Sequence, residues 1–195
     1  MKKILLAYAT NSGSTKEIAD FIAEILSRKS LVDVVAISDV KGLESYEAVV
    51  IGAPMILGIH TDAQRFLQKQ AKILSKVPYA CFFSAMNVTR QLEMVHSEYP
   101  VTIDPNVEKA PKDQKHLSLK EKYAKPGNYL KPLAKAFRFA PPKEVAFFAG
   151  KLEMFRLKLL QALFVMAIIQ AKPGDMRNWS AIESWTNQVA RSFEL

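Results

Sequence analysis

The chain has 195 residues, 49% hydrophobic and 24% charged, which describes a globular protein with a sizeable core and excludes a disordered tail. Its formal net charge of +8 disfavours a cationic partner. Nucleic acid, an acidic protein and an anionic membrane all qualify, beside a merely solvated basic surface. The single Cys81 excludes an internal disulfide and implies a reducing, cytoplasmic setting. It lies in the apolar run Tyr79-Ala80-Cys81-Phe82-Phe83, where a buried, inert thiol is expected.

Taken in chain order, Ile4-Leu5-Leu6-Ala7 is too short for a signal peptide and reads as a first strand, Ile4–Tyr8. A helix begins near Ser14 or Thr15, with Ile18, Phe21, Ile22, Ile25 and Leu26 at spacings of three and four. Strands follow at Val32–Ile37 and Ala48–Gly52. A second helix starts at Thr61 or Asp62, either of which could cap it, and runs towards Ser75 before Pro78 ends it. The next strands are Tyr79–Ser84 and Glu144–Ala149, and a last helix, from about Trp179 to Phe193, carries Ile182, Trp185, Val189 and Phe193 on one side. Apolar strands alternating with helical patterns predict βαβ units around a parallel sheet covered on both faces. The stretch from about Val88 to Asn128 breaks this rhythm and has no sustained period. No run reaches the roughly 18 apolar residues of a membrane span.

The turn Thr10-Asn11-Ser12-Gly13-Ser14-Thr15 joins the first strand to the first helix. Its hydroxyls, its backbone N–H groups and the helix N-terminus suit a phosphate, held by neutral donors because Lys16 lies just outside the turn. A nucleotide-triphosphate loop would need Gly-Lys-Ser/Thr, and a dinucleotide loop three spaced glycines; neither occurs. His60, His96 and His116 have no Cys or second His at metal-ligand spacing, so no metal is expected. His60 is a candidate proton donor. No catalytic residue can be assigned from spacing, and any chemistry would belong to a cofactor.

That turn resembles the phosphate loop of the flavodoxin family, Thr/Ser-x-Thr-Gly-x-Thr, with Ser12 where the second Thr is usual. The resemblance implies an α/β three-layer sandwich, a five-stranded parallel sheet in order 2-1-3-4-5, and an insertion after strand four. It also implies flavin mononucleotide (FMN) at the switch point of the sheet. The phosphate would rest on Thr10, Asn11, Ser12, Gly13, Ser14 and Thr15. Pro54, Met55, Ile56, Leu57 and Gly58 would line one side of the flavin ring, and Ser84, Ala85, Met86 and Asn87 would contact its edge. Neither ring loop has an aromatic side chain beyond the strand ends. The flavin would then bind less tightly, leave a face open to a substrate, or be lost.

Phe147-Phe148-Ala149-Gly150-Lys151-Leu152, a long apolar segment and Gly174-Asp175-Met176-Arg177-Asn178-Trp179 extend the likeness over nearly the whole chain. Their order resembles the flavodoxin-domain branch containing the menaquinone-dependent protoporphyrinogen oxidases. The resemblance implies an oxidoreductase taking hydride from a reduced organic substrate and passing electrons to a quinone, with one flavodoxin-like unit over residues 1–195. Arg90, Lys109, Lys112, Lys115 and Lys120 would suit an anionic substrate. The apolar segment 152–171, apolar on nearly every side, is a core or dimer helix or a peripheral membrane contact at the inner face. Two other readings stand: an electron-transfer protein without its own substrate, and a flavin-free interaction module. Nucleic-acid binding is disfavoured, because the basic residues are interleaved with acids and lack an aromatic platform.

Overall fold

The structure, a computed structural model, describes residues 1–55, 58–90, 99–113, 116–152 and 174–195. Strands β1 (Lys3–Tyr8), β2 (Leu31–Ala36), β3 (Ala48–Pro54), β4 (Tyr79–Ala85), β6 (Val101–Ile103) and β8 (Glu144–Ala149) form one sheet in the order β2-β1-β3-β4-β8-β6. Every pairing within it is parallel. This is the flavodoxin-type α/β architecture, with helices α1 (Ser14–Leu26), α2 (Thr61–Leu74) and α6 (Trp179–Ser192) covering the sheet.

The strand pattern explains the layering. Alternate side chains of a strand point to opposite faces, and nearly all are apolar here. Ile4, Leu6, Val50, Phe82 and Phe148 pack with Ile18 and Ile22 of α1 and with Ile182, Trp185 and Val189 of α6. Their neighbours Leu5, Ala7, Ile51, Phe83 and Phe147 pack instead with Ala63, Phe66 and Leu67 of α2. A one-residue slip would exchange the two sets. Gly52 belongs to this packing: a Cβ there would sit 2.1 Å from the Phe82 ring on the neighbouring strand.

Two expectations are corrected. The sheet has six strands rather than five, because Val101–Ile103 of the insertion pairs with the outer edge of β8, Val101 opposite Val145. Three residues are too few to show a period. Other described parts of the stretch 88–128 are also built: β5 (Val88–Thr89) pairs with β7 (Glu108–Lys109), and α3 (Leu119–Tyr123) and α4 (Pro126–Leu130) follow. A further short helix, α5 (Ala134–Phe139), leads to β8. The second helix is capped by neither Thr61 nor Asp62 but by His60, whose Nδ1 accepts from the Asp62 N–H at 3.3 Å.

Cys81 is fully buried in β4, and burial pushes its thiol far above the usual range. The apolar segment 152–171 lies, apart from the backbone of Leu152, outside the described residues. Among the described residues no helix is long and apolar enough to cross a membrane, and no cluster of His, Cys, Asp and Glu could hold a metal.

Candidate cofactor site

Four strands bring their carboxyl ends together. After β1, the Ala9 N–H donates to the Gly52 carbonyl at 2.9 Å, and the chain then turns through half-buried Thr10 to Gly13. The Gly13 N–H donates to Thr10 Oγ1 at 2.9 Å. Gly13 adopts a φ of 93°, in the left-handed region that favours glycine, and serves as the N-cap of α1. Among the described residues the N-cap position, a glycine, gives this helix no side-chain cap, although the turn is rich in side chains that cap well. The N–H groups of its first turn therefore have no cap at the positive end of the helix dipole.

The next two residues fix this turn to the rest of the sheet. Ser14 Oγ accepts from the Lys151 N–H at 2.9 Å, which attaches it to the chain after β8. Thr15 is buried, and its Oγ1 lies 3.0 Å from Ser84 Oγ at the end of β4. Gly150 is where the three ends converge, for a Cβ there would touch both Ser14 Oγ and Ser84 Cβ at 3.7 Å. Lys16 is turned elsewhere, 2.7 Å from Asp20. The polar groups contributed by the turn itself are thus neutral.

Of the second predicted loop, Pro54 ends β3 and Met55 is buried in the α2-side core, its N–H donating to the Ser84 carbonyl at 2.8 Å. Met55 bridges to Ile59, and Gly58 between them has a φ of 103°. Ile56 and Leu57 lie outside the described residues. His60 caps α2 through Nδ1.

The third loop leaves β4 at buried Ala85 and continues through half-buried Met86 and Asn87. Asn87 gives its carbonyl to the Tyr129 hydroxyl at 3.0 Å, while its buried side-chain oxygen has no partner among the described residues. Tyr129 is itself buried against Phe147, with ring centroids 6.2 Å apart, so this aromatic supports the loop. Burial also pushes the Tyr129 phenol well above its usual range.

Two neighbouring clusters escaped the sequence reading. Asp104, in the insertion and fully buried, accepts from the Ala149 N–H at 3.0 Å, the Asn106 N–H at 2.9 Å and Asn178 Nδ2 at 3.2 Å. One carboxylate thereby ties the insertion, the end of β8 and the approach to α6. Arg177 lies between Asp175 and Glu17, at 2.5 and 2.6 Å, with its guanidinium 4.6 Å from the Trp179 ring centre. The hydrogen bond to Asp175 raises the Arg177 pKa and lowers that of Asp175. Residues 174 and 175 form β10 (Gly174–Asp175), antiparallel to β9 (Lys151–Leu152), which carries this clamp beside the first turn of α1. The quoted likeness around Gly174 to Trp179 marked the place, but no local period revealed the contacts.

A parallel α/β sheet with a hydroxyl-rich turn after its first strand is the arrangement in which open α/β proteins take ligands, at the carboxyl edge of the sheet. The flavodoxin domain family matches residues 5–178, and the chain belongs to that family. Membership supports a flavin as the group taken. Protoporphyrinogen IX dehydrogenase (quinone) of Escherichia coli strain K12 is 35% identical over 95 residues, 47% of this chain and 52% of that protein. The chain spans about half the length of the curated relatives it matches. A short-chain flavodoxin associated with a bacterial microcompartment superposes with a TM-score of 0.52 at 10% identity, covering 99% of both chains. Oxidised flavodoxin 2 from Bacillus cereus gives 0.51 at 15%, covering 98% of this chain and 99% of that one. At such identities these two show the fold alone.

Proposed function

We propose that the chain binds FMN at the carboxyl ends of β1, β3 and β4 and acts as an oxidoreductase, passing electrons from a reduced organic substrate to a quinone-type acceptor. The observation that carries this reading is the uncapped start of α1 inside a turn of hydroxyl side chains. Its N–H groups and the hydroxyls of Thr10, Ser12, Ser14 and Thr15 fit a monophosphate without help from a lysine. The unpartnered Asn87 Oδ1 fits as well, since a buried acceptor stabilises a ligand that brings it an N–H donor, such as the imide of a flavin.

When bound, FMN supplies reversible uptake of one or two electrons. The chain's own residues hold and orient. Thr15 and Ser84 lock the phosphate turn to the ring-edge loop through their hydroxyl pair, so both are placed before any ligand arrives. The Met55 N–H, bonded to the Ser84 carbonyl, sets the ring-side loop against the same strand end. The substrate and the acceptor follow from the likeness to the Escherichia coli dehydrogenase, whose name specifies a porphyrinogen and a quinone.

The test has two stages. Purified protein is incubated with excess FMN, the unbound fraction is removed, and the visible spectrum is recorded. Retained flavin absorbance is expected; a colourless protein would overturn the cofactor reading and leave an interaction module. Loaded protein is then supplied with protoporphyrinogen and a menaquinone analogue. Porphyrin formation that depends on the quinone is expected. Flavin retention without turnover would leave a carrier of electrons with no substrate of its own.

A further inference from the structure

The formal charge of the chain is concentrated in one stretch. Residues 109–143 contain ten Lys or Arg and two Asp or Glu, a net +8, so the remaining 160 residues contain seventeen of each and are neutral. In that remainder, cations meet carboxylates: Lys3 with Asp33 at 3.1 Å, Lys16 with Asp20 at 2.7 Å, Arg177 with Asp175 at 2.5 Å. The two acids of the stretch are engaged locally. Glu121 accepts from the N–H groups of Ser118 and Lys112, and Asp113 lies 3.2 Å from His116. Lys122, Lys131, Lys135, Arg138 and Lys143 are exposed and form no salt bridge among the described residues.

Each of these cations faces solvent. The short helices bury Tyr129, Leu130, Leu133 and Phe137 in the α2-side core, which leaves their other side to solvent. The same stretch exposes three large apolar side chains: Leu119 at 86%, Phe139 at 63% and Tyr123 at 44%. Tyr123 directly follows Lys122, and Phe139 directly follows Arg138.

We propose that the outward side of residues 116–143 docks on an anionic lipid surface, its lysines against the headgroups and Leu119, Tyr123 and Phe139 dipping into the interface. Alternating cations and apolar tips are the composition of a peripheral membrane contact. Nine of the ten cations are Lys, mobile point charges that suit a diffuse anionic plane; a bidentate reader of phosphodiesters would favour Arg. A nucleic acid would account for the charge, but its phosphate backbone gives an exposed Leu119 nothing apolar to meet. The contact needs no flavin and stands independently of the function proposed above.

The experiment is co-sedimentation of the full chain, with and without FMN, on vesicles of phosphatidylcholine and of phosphatidylcholine mixed with phosphatidylglycerol, at physiological salt. Partitioning onto the anionic vesicles only is expected, equally with and without FMN. The double variant Lys131→Glu, Lys135→Glu should lower the partition coefficient at least about tenfold. Arg28→Glu with Lys41→Glu, the same charge change at exposed positions outside the stretch, should leave it little altered. Leu119→Ser with Phe139→Ser should weaken binding without changing its salt dependence. Equal loss in both charge-reversed variants would mean attraction by net charge alone and overturn the proposal. So would binding to polyglutamate or duplex DNA without binding to anionic vesicles, which would put an acidic protein or a nucleic acid in place of the lipid.

Discussion

The two faces of the sheet are finished in different ways. On one, α1 and α6 lay two long apolar stripes across the strands, and Trp185 meets Phe82 and Phe148 with ring centroids 6.2 and 5.5 Å apart. On the other, α2 packs on the strands together with short described pieces from between residues 88 and 143, fastened at a few buried polar points. Asp104 is one. Tyr79, whose hydroxyl donates to the Ala140 carbonyl, is another. Continuous stripes spread stability over many contacts, whereas point fastenings concentrate it. The second arrangement leaves an outward surface free to carry charge.

The contrast predicts where damage spreads. Trp185→Ala removes the largest fully buried side chain of the α1–α6 face and should cost about 3–5 kcal/mol. Urea unfolding would show it as a lower midpoint with the slope unchanged, because the stripe holds the whole sheet. Asp104→Ala leaves the donors of Ala149, Asn106 and Asn178 without their acceptor and should cost about 3 kcal/mol. Its signature is regional. Amide exchange should rise over 101–109 and 174–178 while α1 keeps its protection; uniform loosening would erase the distinction between the faces.

That distinction also sets what was legible in the sequence. The α1–α6 face was readable because Ile18, Ile22, Ile182, Trp185 and Val189 repeat at helical spacing and the strands are near-continuous apolar runs. In the insertion, Val101-Thr102-Ile103 is too short for a period and Asp104 looks like any surface acid. Its three donors lie 2, 45 and 74 residues away, at separations that no local pattern encodes. The site divides likewise. The turn Thr10–Thr15 stood out by composition and position, while its bonds from Ser14 to Lys151 and from Thr15 to Ser84 came only from folding. His60 reads from the sequence as a candidate proton donor, and its Nδ1 cap of α2 is a second role that Thr61 and Asp62 beside it hide.

A smaller change sharpens the comparison at the proposed flavin site. Thr15→Val keeps the volume but leaves Ser84 Oγ without its hydroxyl partner, at a cost of about 1 kcal/mol in stability. Its larger effect should be on FMN retention, since the hydroxyl pair holds two of the three loops in register. A dissociation constant raised about tenfold corresponds to about 1.4 kcal/mol of lost positioning, read by fluorescence titration of the unliganded protein. Unchanged affinity would mean that the helix N-terminus alone carries the phosphate.

The smallest expected effect belongs to the insertion's own surface. Ser118 and Glu121 form a capping box at α3, and Glu121 also accepts from the Lys112 N–H. These bonds, the Ser118 hydroxyl foremost, hold the Glu121 carboxyl down to about 2 from its ordinary 4.5. A carboxyl lowered in the folded chain stabilises fully above its unfolded value and loses that contribution as the pH falls from 4.5 towards 2. Acidification should therefore release the amides of Lys112, Ser118 and Glu121 to exchange. The carboxyl lies at the surface, so solvent screens it and the global unfolding midpoint should move little. At neutral pH, Glu121→Gln should show at these amides the reduced protection factors that the parent shows in acid. If α1 and α6 lost protection over the same range, the insertion would not be an independently fastened layer, and the contrast between the two faces would fail.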